Sequence, residues 1–307
     1  MRWSYFRNRR MVGRRDPGFP VPFLVGATRS GTTLLRLMMD AHPELAIPYE
    51  THFITRVITR ANDAPISPES MTEAIAGHKR WPDFRLDREE LLERLQTVRP
   101  LTAGDSIRTF FQLYAEGQGK PRWGDKTPRY VRQMRRIERV MPEIRFVHII
   151  RDGRDVALSV LSRSFGPETI EEAAKLWRSR IRKARRQAPQ LGHYMEIHFE
   201  DLIRDTEGSL RRICEFIELE FDPAMLNYYE RAEERLMERN RKAAQGKPGK
   251  PKLKGHQLAM EPPRPDQLFK WRERMSDEDL AAYERVAGKL LAELGYETGT
   301  RTAGVAP

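Results

Sequence analysis

The chain has 307 residues, with 55 Lys and Arg against 44 Asp and Glu, for a formal net charge of +11. With 39% hydrophobic residues and a mean hydropathy of -0.68, it holds enough apolar side chains for one large domain or two small ones. No run approaches the roughly 18 to 20 apolar residues of a membrane span. The opening Met1-Arg2-Trp3-Ser4-Tyr5-Phe6-Arg7-Asn8-Arg9-Arg10 lacks the apolar middle of a secretory signal, and the expectation is a cytoplasmic protein. The positive charge attracts anions, whether nucleic acid, an anionic lipid surface or an acidic small substrate.

Taken along the chain, residues 1–19 read as a basic tail and 20–298 as a single domain. Val21 to Val25 is an apolar, β-rich run, followed by the loop Gly26-Ala27-Thr28-Arg29-Ser30-Gly31-Thr32-Thr33 and a helical pattern over Thr33 to Asp40. Helical periodicity returns over Arg88 to Val98, Ser106 to Glu116 and Tyr130 to Val140. A second buried strand is expected at Ile144 to Ile150, then helices over Val156 to Arg163 and Glu171 to Gln187. A third strand, Tyr194 to Phe199, precedes a helix over Thr206 to Ile217. Residues 241–256 combine Gly, Pro and Lys with almost nothing apolar and read as a mobile basic loop. A last helix starts at Ser276-Asp277-Glu278-Asp279 and stops at Gly295, leaving 299–307 as a tail. Apolar strands alternating with helices predict an α/β fold, a P-loop-like parallel sheet flanked by helices on both faces, with ligands beyond the carboxyl ends of the strands.

The loop after the first strand has the glycine spacing of a phosphate cradle, G-x-x-x-x-G-K-[ST], but Thr32 stands where a nucleotide triphosphatase needs lysine. Backbone N–H groups and the helix dipole still favour an anion there, and Arg29 supplies a cation from inside the loop. The expected ligand is a nucleotide whose reactive group is not a γ-phosphate. A second anion site is expected after the Ile144 to Ile150 strand. There Arg151, Ser159 and Arg163 can converge while Val156 and Val160 face the sheet. By spacing alone the stretch reads rather as ordinary surface arginines with Ser159 as a helix filler, and Glu50 rather as a cap for a helix running through His52 to Thr59, while Lys126 is equally a loop lysine.

At this point the chain resembles the sulfotransferases that use 3′-phosphoadenosine 5′-phosphosulfate (PAPS). Thr28-Arg29-Ser30-Gly31-Thr32-Thr33-Leu34 resembles their 5′-phosphosulfate loop, and Arg151 with Ser159 the pair that holds the 3′-phosphate. The likeness is nearest to the branch containing protein-tyrosine sulfotransferases, through Asp40-Ala41-His42-Pro43, a Glu before Thr at Glu50-Thr51, and an arginine at Arg163. It is weaker in Asp125-Lys126-Thr127-Pro128, in Phe199-Glu200-Asp201-Leu202, where the family has Tyr, and in Lys270-Trp271.

The resemblance implies sulfuryl transfer from PAPS to an acceptor hydroxyl or amine of a small molecule, glycan, lipid or peptide, with release of adenosine 3′,5′-bisphosphate. It implies Glu50 as general base, with Arg29 and Lys126 stabilising the leaving phosphate and the transferring group. Arg29, Ser30, Gly31, Thr32, Thr33, Arg151, Ser159, Arg163, Phe199 and Lys270 would bind the nucleotide. No metal is expected: a sulfuryl group carries less charge than a terminal phosphate, and the histidines lack metal-ligand spacing. The single cysteine, Cys214, excludes an internal disulfide and falls at a helix core position.

Two rivals remain at this point: a Mg²⁺-dependent P-loop kinase or nucleotidase, for which Asp152 is the candidate metal ligand, and a basic nucleic-acid-binding protein. No recognisable nucleic-acid module supports the latter, and the expectation is no nucleic-acid partner. The acceptor pocket is expected from Arg56 to Lys120, and a homodimer is one of the states left open.

Overall fold

In a computed structural model, residues 17–63, 65–162, 166–238 and 259–299 are described. Arg163, the basic loop 241–256 and nearly all of both tails lie outside the described residues.

The strands are β1 (Val21–Gly26), β2 (Leu45–Ala46), β3 (Arg122–Trp123), β4 (Asp125–Lys126), β5 (Ile144–Ile150) and β6 (Tyr194–His198). Four form a parallel sheet in the order β4-β1-β5-β6, while β2 and β3 make a separate parallel pair. β1 and β5 are apolar at nearly every position because both sheet faces are covered. Val21, Phe23, Val25, Ile144 and Phe146 point into one layer, with helices Ile54–Asp63 and Ala103–Gly117. Leu24, Val147 and Ile149 point into the other, with helices Thr32–Asp40 and Thr206–Phe216. That division is the period-2 alternation of a strand. A third cluster joins Ile150 to helices Gly153–Leu161, Ile170–Gln187 and Asp277–Glu293. Cys214 is 1% exposed in the second layer. No described helix is long and apolar enough to cross a membrane.

Two expectations need correction, and one helix is additional to them. The helix expected over Tyr130 to Val140 is broken into a 3-10 turn, Pro128–Arg132, and a short helix, Met134–Glu138. Gln133 between them has non-helical angles, φ -138° and ψ 22°. Phe199 is not the end of a strand but the first residue of helix Phe199–Arg204. Helix Pro68–Ala76 was not expected, although Ser67 caps it and Pro68 sits at its first position, both start signals.

Because the sheet is parallel, β1, β4, β5 and β6 all deliver their carboxyl ends to one edge. The segments that follow β1, β5 and β6 carry Arg29, Arg151 and Phe199, and Lys126 is the last residue of β4 itself. Residues spread over 170 positions of sequence are thereby gathered on one rim.

Candidate active site

The turn after β1 ends at Gly31, whose φ of 95° places it in the left-handed region. It forms the N-cap of helix Thr32–Asp40, which has no side-chain cap and no acidic residue in its first turn. The first amide donors are thus left to an anion, as a cradle requires. Gly31 is also required by its neighbour, since a Cβ there would lie 2.3 Å from Cδ2 of Phe199. Ser30 is fully buried and its Oγ has no partner among the described residues.

The turn after β5 faces this loop. Arg29 Nε donates to Ser159 Oγ at 2.9 Å, joining the two predicted anion sites directly. Phe199 completes the junction: it packs on Gly31, and the Arg151 guanidinium lies 4.7 Å from its ring centroid. Arg151 Nη2 donates to Asp155 Oδ2 at 3.0 Å, while its buried Nε has no partner among the described residues. Asp155 Oδ1 accepts from the Trp271 amide at 2.9 Å, which brings the Lys270-Trp271 segment to the same helix. Thr32 and Thr33 open helix Thr32–Asp40 beside the cradle.

Several supports were not evident in the sequence. Trp177 Nε1 donates to the Arg151 carbonyl at 3.1 Å. Glu200 accepts from the Asp152 amide and the Tyr296 hydroxyl, each at 2.9 Å, and burial pushes its carboxyl up to about 7. Asp40 accepts from the Ile47 amide at 2.7 Å and from Arg235 Nε at 2.6 Å, pinning the chain that runs on to Glu50. Apart from that of Asp40 with Ile47, these contacts join positions far apart in sequence, which leave no local pattern to read.

On the other side of the rim, Lys126 Nζ lies 3.0 Å from Glu50 Oε1 and 4.3 Å from the Tyr49 ring centroid. The lysine side chain is fully buried and that of Glu50 is 20% exposed. Burial raises the Glu50 carboxyl, but the Lys126 ammonium and the hydrogen bond from His52 outweigh it and hold the group well below its ordinary 4.5. Glu50 is therefore not a helix cap. Its oxygens go to Lys126 and His52, and helix Ile54–Asp63 begins four residues later with the Ile54 amide on the Tyr130 hydroxyl. Beyond it, a cleft of about 580 Å³ is lined in part by Thr55, Arg56, Arg60, Glu73, Gln133 and Arg136.

Asp152, the acid a magnesium-dependent kinase would need, is committed elsewhere. It is fully buried, and its oxygens accept from Arg154 Nε at 3.1 Å and Nη2 at 2.8 Å.

Comparison with known proteins agrees with this geometry. Residues 20–223 match the model of the sulfotransferase family. The chain is 25% identical over 299 residues to protein-tyrosine sulfotransferase A of Caenorhabditis elegans, covering 92% of this chain and 70% of that one. It is 25% identical over 220 residues to protein-tyrosine sulfotransferase of Drosophila melanogaster, covering 69% of this chain but only 40% of that one. In fold it is similar to the sulfotransferase domain of the Synechococcus PCC 7002 olefin synthase, with a TM-score of 0.61 and 23% identity over 97% of this chain and all of the other. Family match, curated relatives and fold agree: the chain belongs to the sulfotransferase family, near the branch containing protein-tyrosine sulfotransferases, and is an enzyme of sulfuryl transfer.

Proposed function

We propose that PAPS is held across the Arg29–Ser159 junction and that its sulfuryl group passes in line to an acceptor hydroxyl. The observation that carries this reading is the 2.9 Å contact between Arg29 and Ser159, because it sets two anion-binding turns side by side, as a ligand with two separated phosphate groups demands. Ser30 Oγ and Arg151 Nε, without partners among the described residues, and the uncapped helix start are donors suited to those groups.

In the reaction the acceptor oxygen bonds to sulfur, the bond from sulfur to the bridging oxygen breaks, and adenosine 3′,5′-bisphosphate leaves. Glu50 takes the acceptor proton. Arg29 and Lys126 offset the charge that develops on the bridge and on the transferring group, the role that fixed cations play in loose transfer reactions. Fixed cations suffice in place of a metal ion on this reading.

The relatives above are named for acting on protein tyrosine, so a peptide phenol is the first acceptor to test, ahead of glycans, lipids, small alcohols and amines. Calorimetry with adenosine 3′,5′-bisphosphate tests the junction, and transfer from ³⁵S-labelled PAPS to acceptor pools tests the chemistry. Glu50→Gln should keep nucleotide binding and lose about 10² to 10⁴ in turnover. A protein that takes up ATP-Mg²⁺ and ignores the bisphosphate would sink the reading.

A further inference from the structure

We propose that His52 is a positioning residue for sulfuryl transfer, holding the second oxygen of Glu50 so that the first is left to the acceptor proton; this rests on Glu50 being the base. His52 Nε2 lies 2.8 Å from Glu50 Oε2. An ionised carboxylate only accepts, so the hydrogen is on Nε2.

The backbone makes this contact at a cost. His52 has a φ of 57°, in the left-handed region that a non-glycine residue seldom visits. The Phe53 amide donates to the Thr51 carbonyl at 2.7 Å, closing a three-residue turn around His52, the rarer, positive-φ form of the γ-turn. That turn sets the angle from which the ring meets Glu50, two positions earlier.

Such strain persists only where the surroundings over-determine it, and here they do. Thr51 Oγ1 donates to Asp125 Oδ1 at 2.7 Å, and the Thr51 amide donates to Thr127 Oγ1 at 3.0 Å. The Ile54 amide is held by the Tyr130 hydroxyl at 3.1 Å. The residues flanking His52 are thus bolted to the segment that carries Lys126. Glu50 ends with one oxygen on Lys126 and the other on His52, fixed from two sides. When Lys126 turns to the transferring group, His52 is the anchor that remains.

The titratable groups next to His52 are Glu50 on its own segment and His78, with its ring centroid 6.4 Å away; the cations Arg56, Lys79 and Arg80 act on His78, and Lys126 acts on Glu50. Burial, followed by the charges of His52 and Arg56, pushes His78 down to about 4, so it stays neutral near pH 7 and does not compete for the carboxylate.

The test uses the full chain with His52→Gly, which suits the positive φ, His52→Asn, which tolerates it and keeps an amide donor, and Glu50→Gln. With ³⁵S-labelled PAPS and a tyrosine peptide, His52→Gly should lose about 10- to 100-fold in kcat, the equivalent of a hydrogen bond to a charged group. KM for PAPS should hold. Millimolar imidazole should restore part of the rate, and His52→Asn should lie between. A second readout needs no acceptor: in protein labelled with ¹³C at glutamate carboxyls, the signal missing in Glu50→Gln identifies Glu50, and its titration should move to higher pH in His52→Gly. An unmoved titration with wild-type kcat overturns the role of His52 alone. Full turnover in Glu50→Gln overturns the base assignment instead.

Discussion

Lys126 Nζ and Glu50 Oε1 sit 3.0 Å apart with the lysine fully buried, so the two groups proposed as cation and base neutralise each other. Removing one partner strands the other. Lys126→Met should cost about 3 kcal/mol at neutral pH, the low end for breaking a buried pair because Glu50 keeps His52 and some solvent. Glu50 is an acid held below its ordinary 4.5, so its stabilising contribution is complete above that pH and is lost as pH falls below it. The gap in Tm between wild type and Lys126→Met should therefore narrow below about pH 4.5, and Glu50→Gln in the Lys126→Met background should recover most of the loss. Thermal unfolding of the three variants from pH 3 to 7 checks all of this, and a gap independent of pH would contradict it.

Ser159 is the residue whose hydroxyl the two anion turns share. Ser159→Ala removes the hydroxyl proposed to donate to the 3′-phosphate and should weaken adenosine 3′,5′-bisphosphate by about 10- to 100-fold, the range for a hydrogen bond to a charged group. Arg29→Ala should weaken it at least as much. Because Arg29 and Ser159 touch, their effects should not add, and a double-mutant cycle by calorimetry should show coupling above about 0.5 kcal/mol. Strict additivity would mean that the two side chains serve separate ligands.

The strong periodic signals were readable. The apolar strands β1 and β5 were placed within one residue, and the Glu171 to Gln187 helix appears as Ile170–Gln187, because burial on both faces or on one stripe dictates long runs of residue type. The cradle was legible because glycine spacing is local chemistry. β4 was not: Asp125–Lys126 is two polar residues, too short to carry a period, yet it is what delivers Lys126 to the rim. The contact of His52 with Glu50 was equally hidden, since it depends on a single positive φ imposed by Thr51, Asp125 and Tyr130. Long-range hydrogen bonds of this kind, like Glu200 to the Asp152 amide, leave no trace in spacing.

Gly31→Ala should be far worse than the swap of one hydrogen for a methyl suggests. The new Cβ meets the Phe199 ring at 2.3 Å on backbone with φ of 95°, so both a steric and a conformational penalty apply. Nucleotide binding should fall below detection and Tm should drop. Phe199→Ala in the same chain should recover part of the Tm by opening space, leaving the penalty of the positive φ. Wild-type affinity in Gly31→Ala would show that the turn is not held against Phe199.

Asp125 should behave as the opposite of Glu50. It is fully buried, and the loss of solvent pushes its carboxyl up to about 7 despite hydrogen bonds from Thr51 and Thr127 and the nearby Lys126 ammonium. An acid that binds its proton more tightly when folded contributes fully below its unfolded value of 3.8 and loses that contribution as pH rises through about 7. Asp125→Asn resembles the protonated form, with an oxygen left to accept from Thr51. Its Tm relative to wild type should thus be small below about pH 3.8, grow more positive as pH rises to about 7, and level off above that. If the turn at Thr51 and His52 depends on this network, wild-type turnover should decline around pH 7 in step with Asp125 ionisation in the folded protein, while that of Asp125→Asn holds. A Tm difference flat across the range would mean that Asp125 is ionised throughout, and that the strained turn is anchored on a carboxylate paired with Lys126.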